Sequence, residues 1–148
     1  MYNTDNSQTL KESAVKTVVT PEKLKACAEN TSMSIELSTG LIERAINTIA
    51  DTLYTVENDA SLPPEKSSEL KKMLGEADDK SNVLMDRAVK ANADIAILRT
   101  KTDDLISGGK AVAAETETEF EELDSEAKEI SDAIDDIYLQ LGEILKEI

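Results

Sequence analysis

Carboxylates are the most abundant side chains in this sequence that could take part in chemistry. The 148 residues include 31 Asp and Glu but only 16 Lys and Arg, which gives a formal net charge of −15. Neighbouring acids occur at Asp78-Asp79, Asp103-Asp104 and Asp135-Asp136. Adjacent residues of a helix point about 100° apart. We therefore do not expect any of these pairs to work together as a general acid and a general base.

A second possible use of these acids is metal binding. Asp132 shares a helix face with Asp135 and Asp136, and this group could hold a divalent cation loosely. No stretch of the chain has the alternating ligands and central glycine of a calcium-binding loop. We therefore predict a hydrated surface cluster, without a metal site and without a cofactor.

The residue types that are missing exclude most catalytic arrangements. The chain has no His and no Trp, and it has a single cysteine, Cys27. These absences exclude an imidazole base, a Ser-His-Asp triad, an internal disulfide and a thiolate zinc site. Four aromatic residues and a strong negative charge also argue against direct nucleic-acid binding. We predict that the protein is not an enzyme.

The acidic residues are concentrated in the last quarter of the chain. Residues 110–148 hold 13 acids and 3 bases, whereas residues 64–109 hold 9 acids and 8 bases. Once the acids beside the apolar stripe are set aside, the outward faces carry the candidate partner-binding residues Glu121, Glu122, Glu129, Asp132, Asp135 and Asp136. This surface could keep the protein in solution, could bind a basic protein, or could mimic nucleic acid.

Three breaks in the sequence divide it into helices. Pro63-Pro64 cannot lie inside a helix, Gly108-Gly109 ends one, and Thr20-Pro21 supplies an N-cap followed by proline. We therefore predict helices near 21–59, 65–107 and 110–148. Residues 1–19 are expected to form a mobile tail, and residues 20–148 a single helical-bundle domain.

Each predicted helix carries apolar or small residues at alternating spacings of three and four, which is typical of a coiled-coil seam. In the first helix the seam residues are Ala28, Ile35, Thr39, Ile42, Ile46, Ile49, Leu53 and Val56. In the second they are Leu70, Leu74, Ala77, Ser81, Leu84, Ala88, Ala91, Ile95, Leu98, Thr102 and Leu105. In the third they are Ala113, Thr116, Phe120, Leu123, Ala127, Ile130, Ile134, Ile137, Leu141, Ile144 and Ile148.

Similar helix lengths and short connections favour antiparallel neighbours. The expected fold is therefore all-α, an elongated, coiled-coil-like bundle of three antiparallel helices. Reversal of the chain at Gly108-Gly109 would bring Arg99 near Glu117 and Lys101 near Glu119. An open hairpin whose seams are completed by other chains is the competing arrangement, and a homo-oligomer formed through these seams is one form of it.

The start of the chain lacks the basic and apolar regions of a secretory signal, and no apolar run is long enough to span a membrane. We therefore expect no membrane insertion. The expected location is the cytoplasm, or outside the cell by a route that needs no signal peptide.

The sequence from Val19 to Ala28, VTPEKLKACA, resembles the first-helix opening of the small helical-hairpin substrates of type VII secretion, the Trp-x-Gly family. The resemblance covers about ten residues, and Leu62-Pro63-Pro64 stands where that family has its Trp-x-Gly turn. It implies a helical protein that is exported without a signal peptide and travels with partners.

The function predicted from these patterns is non-catalytic. We expect a helical interaction, adaptor or assembly protein that presents an acidic helix face to a basic protein partner. The alternatives are a signal-less secreted helical-hairpin protein or its targeting partner, and an acidic inhibitor that mimics nucleic acid.

Overall fold

The protein folds as three packed α-helices. The computed structural model describes residues 19–148, in which the helices are α1 (Pro21–Glu57), α2 (Pro64–Gly108) and α3 (Ala114–Lys146). No strand occurs among these residues. The all-α bundle predicted from the sequence is confirmed, whereas the predicted tail lies, except for Val19, outside the described residues.

Helix α1 begins where its capping residues predict. The Thr20 side chain accepts a hydrogen bond from the backbone N–H of Lys23 at 3.1 Å, and Pro21 occupies the first helical position. The cap satisfies a backbone donor that has no partner inside the helix, and proline loses nothing there because its own N–H is missing.

The first turn is held by side chains that bind backbone groups. The Asp59 carboxylate accepts hydrogen bonds from the backbone N–H and the hydroxyl of Ser61, at 2.9 and 2.5 Å. These two bonds lower the pKa of Asp59. Leu62 packs against the core, and α2 then begins at Pro64, directly after Pro63.

The second turn uses a left-handed residue. Gly109 has a φ of 62°, and Lys110 donates its backbone N–H to the carbonyl oxygen of Leu105 at 2.9 Å. The third helix, predicted near 110–148, begins at Ala114, since residues 110–113 form the connection and Ala113 is extended. The chain needs these residues to reverse its direction after the glycine.

The predicted seams of α2 and α3 form the core. Ten of the eleven predicted positions in α2 are buried, and the last, Leu105, is half-buried. In α3 burial is complete from Ala127 to Ile144, while Phe120 and Leu123 are half-buried. Ile148 lies beyond the end of α3 and is 42% exposed, so the seam is shorter than predicted.

The predicted seam of α1 is partly wrong. Thr39, Ile46 and Leu53 are only half-buried. Ala28, Ile35, Ile42, Ile49 and Val56 are buried as predicted. Other buried positions lie one residue earlier in each heptad than predicted and are small or polar: Thr31, Ser38, Ala45 and Thr52. Small side chains let neighbouring helices approach closely, and Ile46 and Leu53 then pack beside the contact.

Contacts between helices fix the direction of each one. Lys101 pairs with Glu119 at 2.9 Å, as predicted, which sets α2 antiparallel to α3. Lys25 pairs with Asp103 at 2.7 Å, which sets α1 antiparallel to α2. The predicted contact of Arg99 with Glu117 is absent from the ion pairs of residues 19–148, and the chain closes its own seams in an up-down-up order.

Helices α1 and α3 also touch directly. The Tyr138 hydroxyl donates a hydrogen bond to the backbone carbonyl of Leu41 at 2.8 Å. Nearer the start of α1, the Thr31 hydroxyl bonds the Asp124 carboxylate at 3.3 Å. All three pairs of helices are therefore in contact, as in a closed bundle. None of the helices in this part of the chain is long and apolar enough to cross a membrane.

Candidate acidic interaction surface

The six predicted partner-binding residues all lie on α3 and are all exposed. We call them the acidic face: Glu121, Glu122, Glu129, Asp132, Asp135 and Asp136. The buried residues Ile130, Ile134 and Ile137 lie between or next to them in the sequence and point to the opposite side of α3. Burial of the isoleucines therefore turns the carboxylates outward.

The acidic face wraps around the outer side of α3. At 100° per residue its members cover an arc of about 140°. One edge of the arc meets α2, where Glu122 and Asp136 line grooves between α2 and α3. The other edge meets α1, where Asp135 lines a groove with Leu41 and Arg44. The structure thus brings the six residues onto one surface, but not into one cluster.

Six cations of residues 19–148 form ion pairs, and all six pair with acids outside the acidic face. Ion pairs join Lys101 to Glu119, Lys128 to Asp124, and Arg87 to Glu126. Lys66 also pairs with Glu147 beyond the end of α3. Among the described residues, no member of the acidic face takes part in an ion pair.

The contact made by Arg87 is bidentate. Its guanidinium donates two hydrogen bonds to the two carboxylate oxygens of Glu126, at 2.5 and 3.1 Å. The bonds to Glu126, with a smaller contribution from the charge of Glu129, raise the pKa of Arg87. This bidentate pair spans α2 and α3 and marks the edge of the acidic face.

The acids of the described part of the chain do not converge on a metal-binding geometry. Residues 19–148 contain no group of three or more His, Cys, Asp or Glu side chains placed to hold a metal ion. Asp132, Asp135 and Asp136 share the outer side of α3 but point across it in different directions. Cys27 is exposed and is not in a disulfide.

The sequence patterns missed the grooves that lie between α2 and α3. One is lined by Val83, Leu84, Ala133 and Ile137, and the other by Ala91, Ile97 and Leu123. Val83 is 62% exposed and Ile97 is 59% exposed. Val83 and Ile97 lie fourteen residues, or two heptads, apart, and neither occupies a seam position. This repeated apolar position outside the seam is the sequence signal that could have revealed the grooves.

Comparisons with known proteins add no relative. No protein-family model matches this chain, and no curated protein or solved structure matches it either.

Proposed function

We propose that the protein is a non-catalytic helical interaction or adaptor protein whose acidic face binds a basic protein partner. One observation carries this proposal. The six carboxylates are exposed on one side of α3 and form no ion pair with a described residue, although neighbouring acids are paired. They are thus available to the cations of another molecule.

The distribution of charge supports binding over solubility alone. Residues 64–109 are almost neutral, with 9 acids and 8 bases, although α2 is the longest helix. Solubility requires only a charged surface, and it does not require that the charge be gathered on one helix. A surface of one sign attracts a partner of the opposite sign and raises the rate of association.

The density of charge favours a protein partner over the mimicry of nucleic acid. Helix α3 carries 12 acids and 2 bases. Its 33 residues extend about 50 Å, so there is one net charge for each ~5 Å. Duplex DNA carries one charge for each ~1.7 Å of its axis. The helix therefore resembles the acidic side of a protein interface more than it resembles DNA.

The test neutralises the acidic face and compares it with a matched control. The test variant changes all six residues of the acidic face to Gln or Asn. The control removes six charges from exposed, unpaired acids of α1 and α2, namely Glu36, Glu43, Asp51, Glu57, Glu76 and Asp86. Wild type and both variants, first checked by circular dichroism, are immobilised and exposed to the same cell extract at rising NaCl concentrations.

We expect wild type and the control to retain the same basic protein at low salt and to release it as salt rises. The variant without the acidic face should retain little of it. Equal retention by all three proteins would contradict the proposal and would leave the carboxylates with a solubilising role.

A second candidate function follows from the resemblance of residues 19–28 to secretion substrates. Under this alternative, the protein is exported from the cytoplasm without a signal peptide, together with a partner that is bound to α3. Detection of the uncleaved chain in culture medium, without a cytoplasmic marker enzyme, would support export. Its retention inside cells that secrete other signal-less proteins would favour a cytoplasmic adaptor.

A further inference from the structure

We propose that the segment bound by this protein is an amphipathic helix that lies in the grooves between α2 and α3, with basic residues along the side that faces α3. This inference rests on the proposed function and names the form of the partner. It is supported by exposed apolar residues on α2 and carboxylates on α3, which border the same grooves over the same length of the bundle.

Both grooves contain apolar side chains between charged ones, and the groove nearer the end of α3 is the more apolar of the two. The half nearer the end of α3 is lined by Val83, Leu84, Ala133 and Ile137, and the other half by Ala91, Ile97 and Leu123. The ion pair between Arg87 and Glu126 crosses from α2 to α3 between the two halves. The apolar stripe of an amphipathic helix can cover apolar side chains between two helices, while its polar flanks meet the charged rims.

The edge formed by α2 presents two large apolar residues to solvent. Val83 and Ile97 are more than half exposed and lie fourteen residues apart on nearly the same side of α2. This spacing is four helical turns, or about 21 Å. Neither side chain is needed for the core, so a helix that covered both would bury apolar surface that the free protein leaves in water.

The edge formed by α3 presents carboxylates over the same length. Glu122, Glu129 and Asp136 follow one another at intervals of seven residues, about 10.5 Å, and their row also spans about 21 Å. Seven is the interval at which a helix with a heptad repeat presents flanking Lys or Arg. The row therefore fits a helix with a basic residue in the same position of each heptad.

The charges on the α2 edge set the orientation of this helix about its own axis. Two lysines, Lys80 and Lys90, lie there with two acids, Asp79 and Asp94, so this edge is balanced in charge. A partner helix with basic residues on both flanks would meet lysines on one of them. The basic flank is consequently expected on the side of α3 only.

The test uses two designed peptides as probes. The first is a helix of about 24 residues, ~36 Å long, with Leu on one stripe and Lys on one flank. The second has the same composition in shuffled order, so that its charge is equal but its stripe is lost. Binding to the full chain is measured by fluorescence anisotropy for wild type, Val83→Ser with Ile97→Ser, the variant without the acidic face, and a control.

The control is Val89→Ser with Leu139→Ser, which removes side chains that are 59% and 69% exposed but line neither groove. We expect wild type and this control to bind the amphipathic peptide about tenfold or more tightly than the shuffled one. Val83→Ser with Ile97→Ser should abolish this difference. Loss of the acidic face should weaken the binding of both peptides.

The outcomes separate the two proposals. Equal binding of both peptides, no binding of either, or no effect of Val83→Ser with Ile97→Ser would overturn the groove as the docking site. If the variant without the acidic face nevertheless loses its natural basic partner, the proposed function stands. A wild-type dimer that Val83→Ser with Ile97→Ser dissociates would show that a second copy fills the groove, and would also overturn this inference.

Discussion

Placing a carboxylate at Ile134 should destabilise the whole bundle. This side chain lies in the middle of α3, is 0% exposed, and belongs to the core shared by the three helices. Ile134→Asp removes a buried apolar side chain and introduces a group that prefers its charged, hydrated form. Neither change can be relieved by a small movement, because the position faces the two other helices.

The magnitude follows from two contributions. Loss of a fully buried isoleucine costs about 2–5 kcal/mol, and a buried polar group without a partner costs about 1–3 kcal/mol more. The sum, about 3–8 kcal/mol, is a large part of the 5–15 kcal/mol that typically stabilises a folded domain. A chain of this length loses roughly 2–4 °C of melting temperature per kcal/mol, so the midpoint should fall by about 6–30 °C.

The assay is urea and thermal unfolding followed by circular dichroism at the helical minimum. Leu139→Asp is the matched control, since it adds the same charge to the same helix at a side chain that is 69% exposed. Its unfolding midpoint should stay close to that of wild type. If Ile134→Asp and Leu139→Asp unfold at the same urea concentration, the assignment of the α3 seam is refuted.

Two further predictions concern glycines and the first turn. Gly75→Ala should stabilise the protein by about 0.5–1 kcal/mol, because this glycine lies inside α2 and a Cβ there would meet no other atom. Gly109→Ala should destabilise the protein by about 1 kcal/mol, because its backbone is left-handed. Equal unfolding midpoints for the two variants would contradict this. The Asp59 carboxyl should titrate below its usual range by NMR, and Ser61→Ala should raise its pKa by removing one hydrogen bond. Since a carboxyl with a lowered pKa stabilises the fold when ionised, this contribution is present above the pKa of the unfolded chain and is lost as the pH falls through the folded value. An unchanged pKa in Ser61→Ala would show that the turn is held in another way.

The seams of α2 and α3 could be predicted because large apolar residues recur there at heptad positions. Helix α1 shows where this reasoning fails. Thr52 is buried because its hydroxyl donates to the carbonyl oxygen of Thr48 at 2.7 Å, and Thr31 is buried beside its partner Asp124. A hydroxyl that finds a partner can be buried, and the sequence alone does not reveal that partner.

The boundaries of the helices were predictable only where a capping signal exists. Thr20 and Pro21 mark the start of α1 correctly, whereas α3 begins at Ala114 without any side-chain cap. The exposure of the acidic face followed from its phase relative to the seam. The grooves that contain Val83 and Ile97 could not be predicted, since they arise from the relative placement of two helices.

The central claim is that one chain closes its own three seams, so that no seam is left for another chain to complete. Cross-linking with a carbodiimide, which joins only amines and carboxylates in direct contact, tests this claim most directly. The structure predicts links between Lys66 and Glu147 and between Lys25 and Asp103, both within a single chain. Peptides with these two links, recovered from monomer, would support the closed bundle. Their recovery only from cross-linked dimers would contradict it.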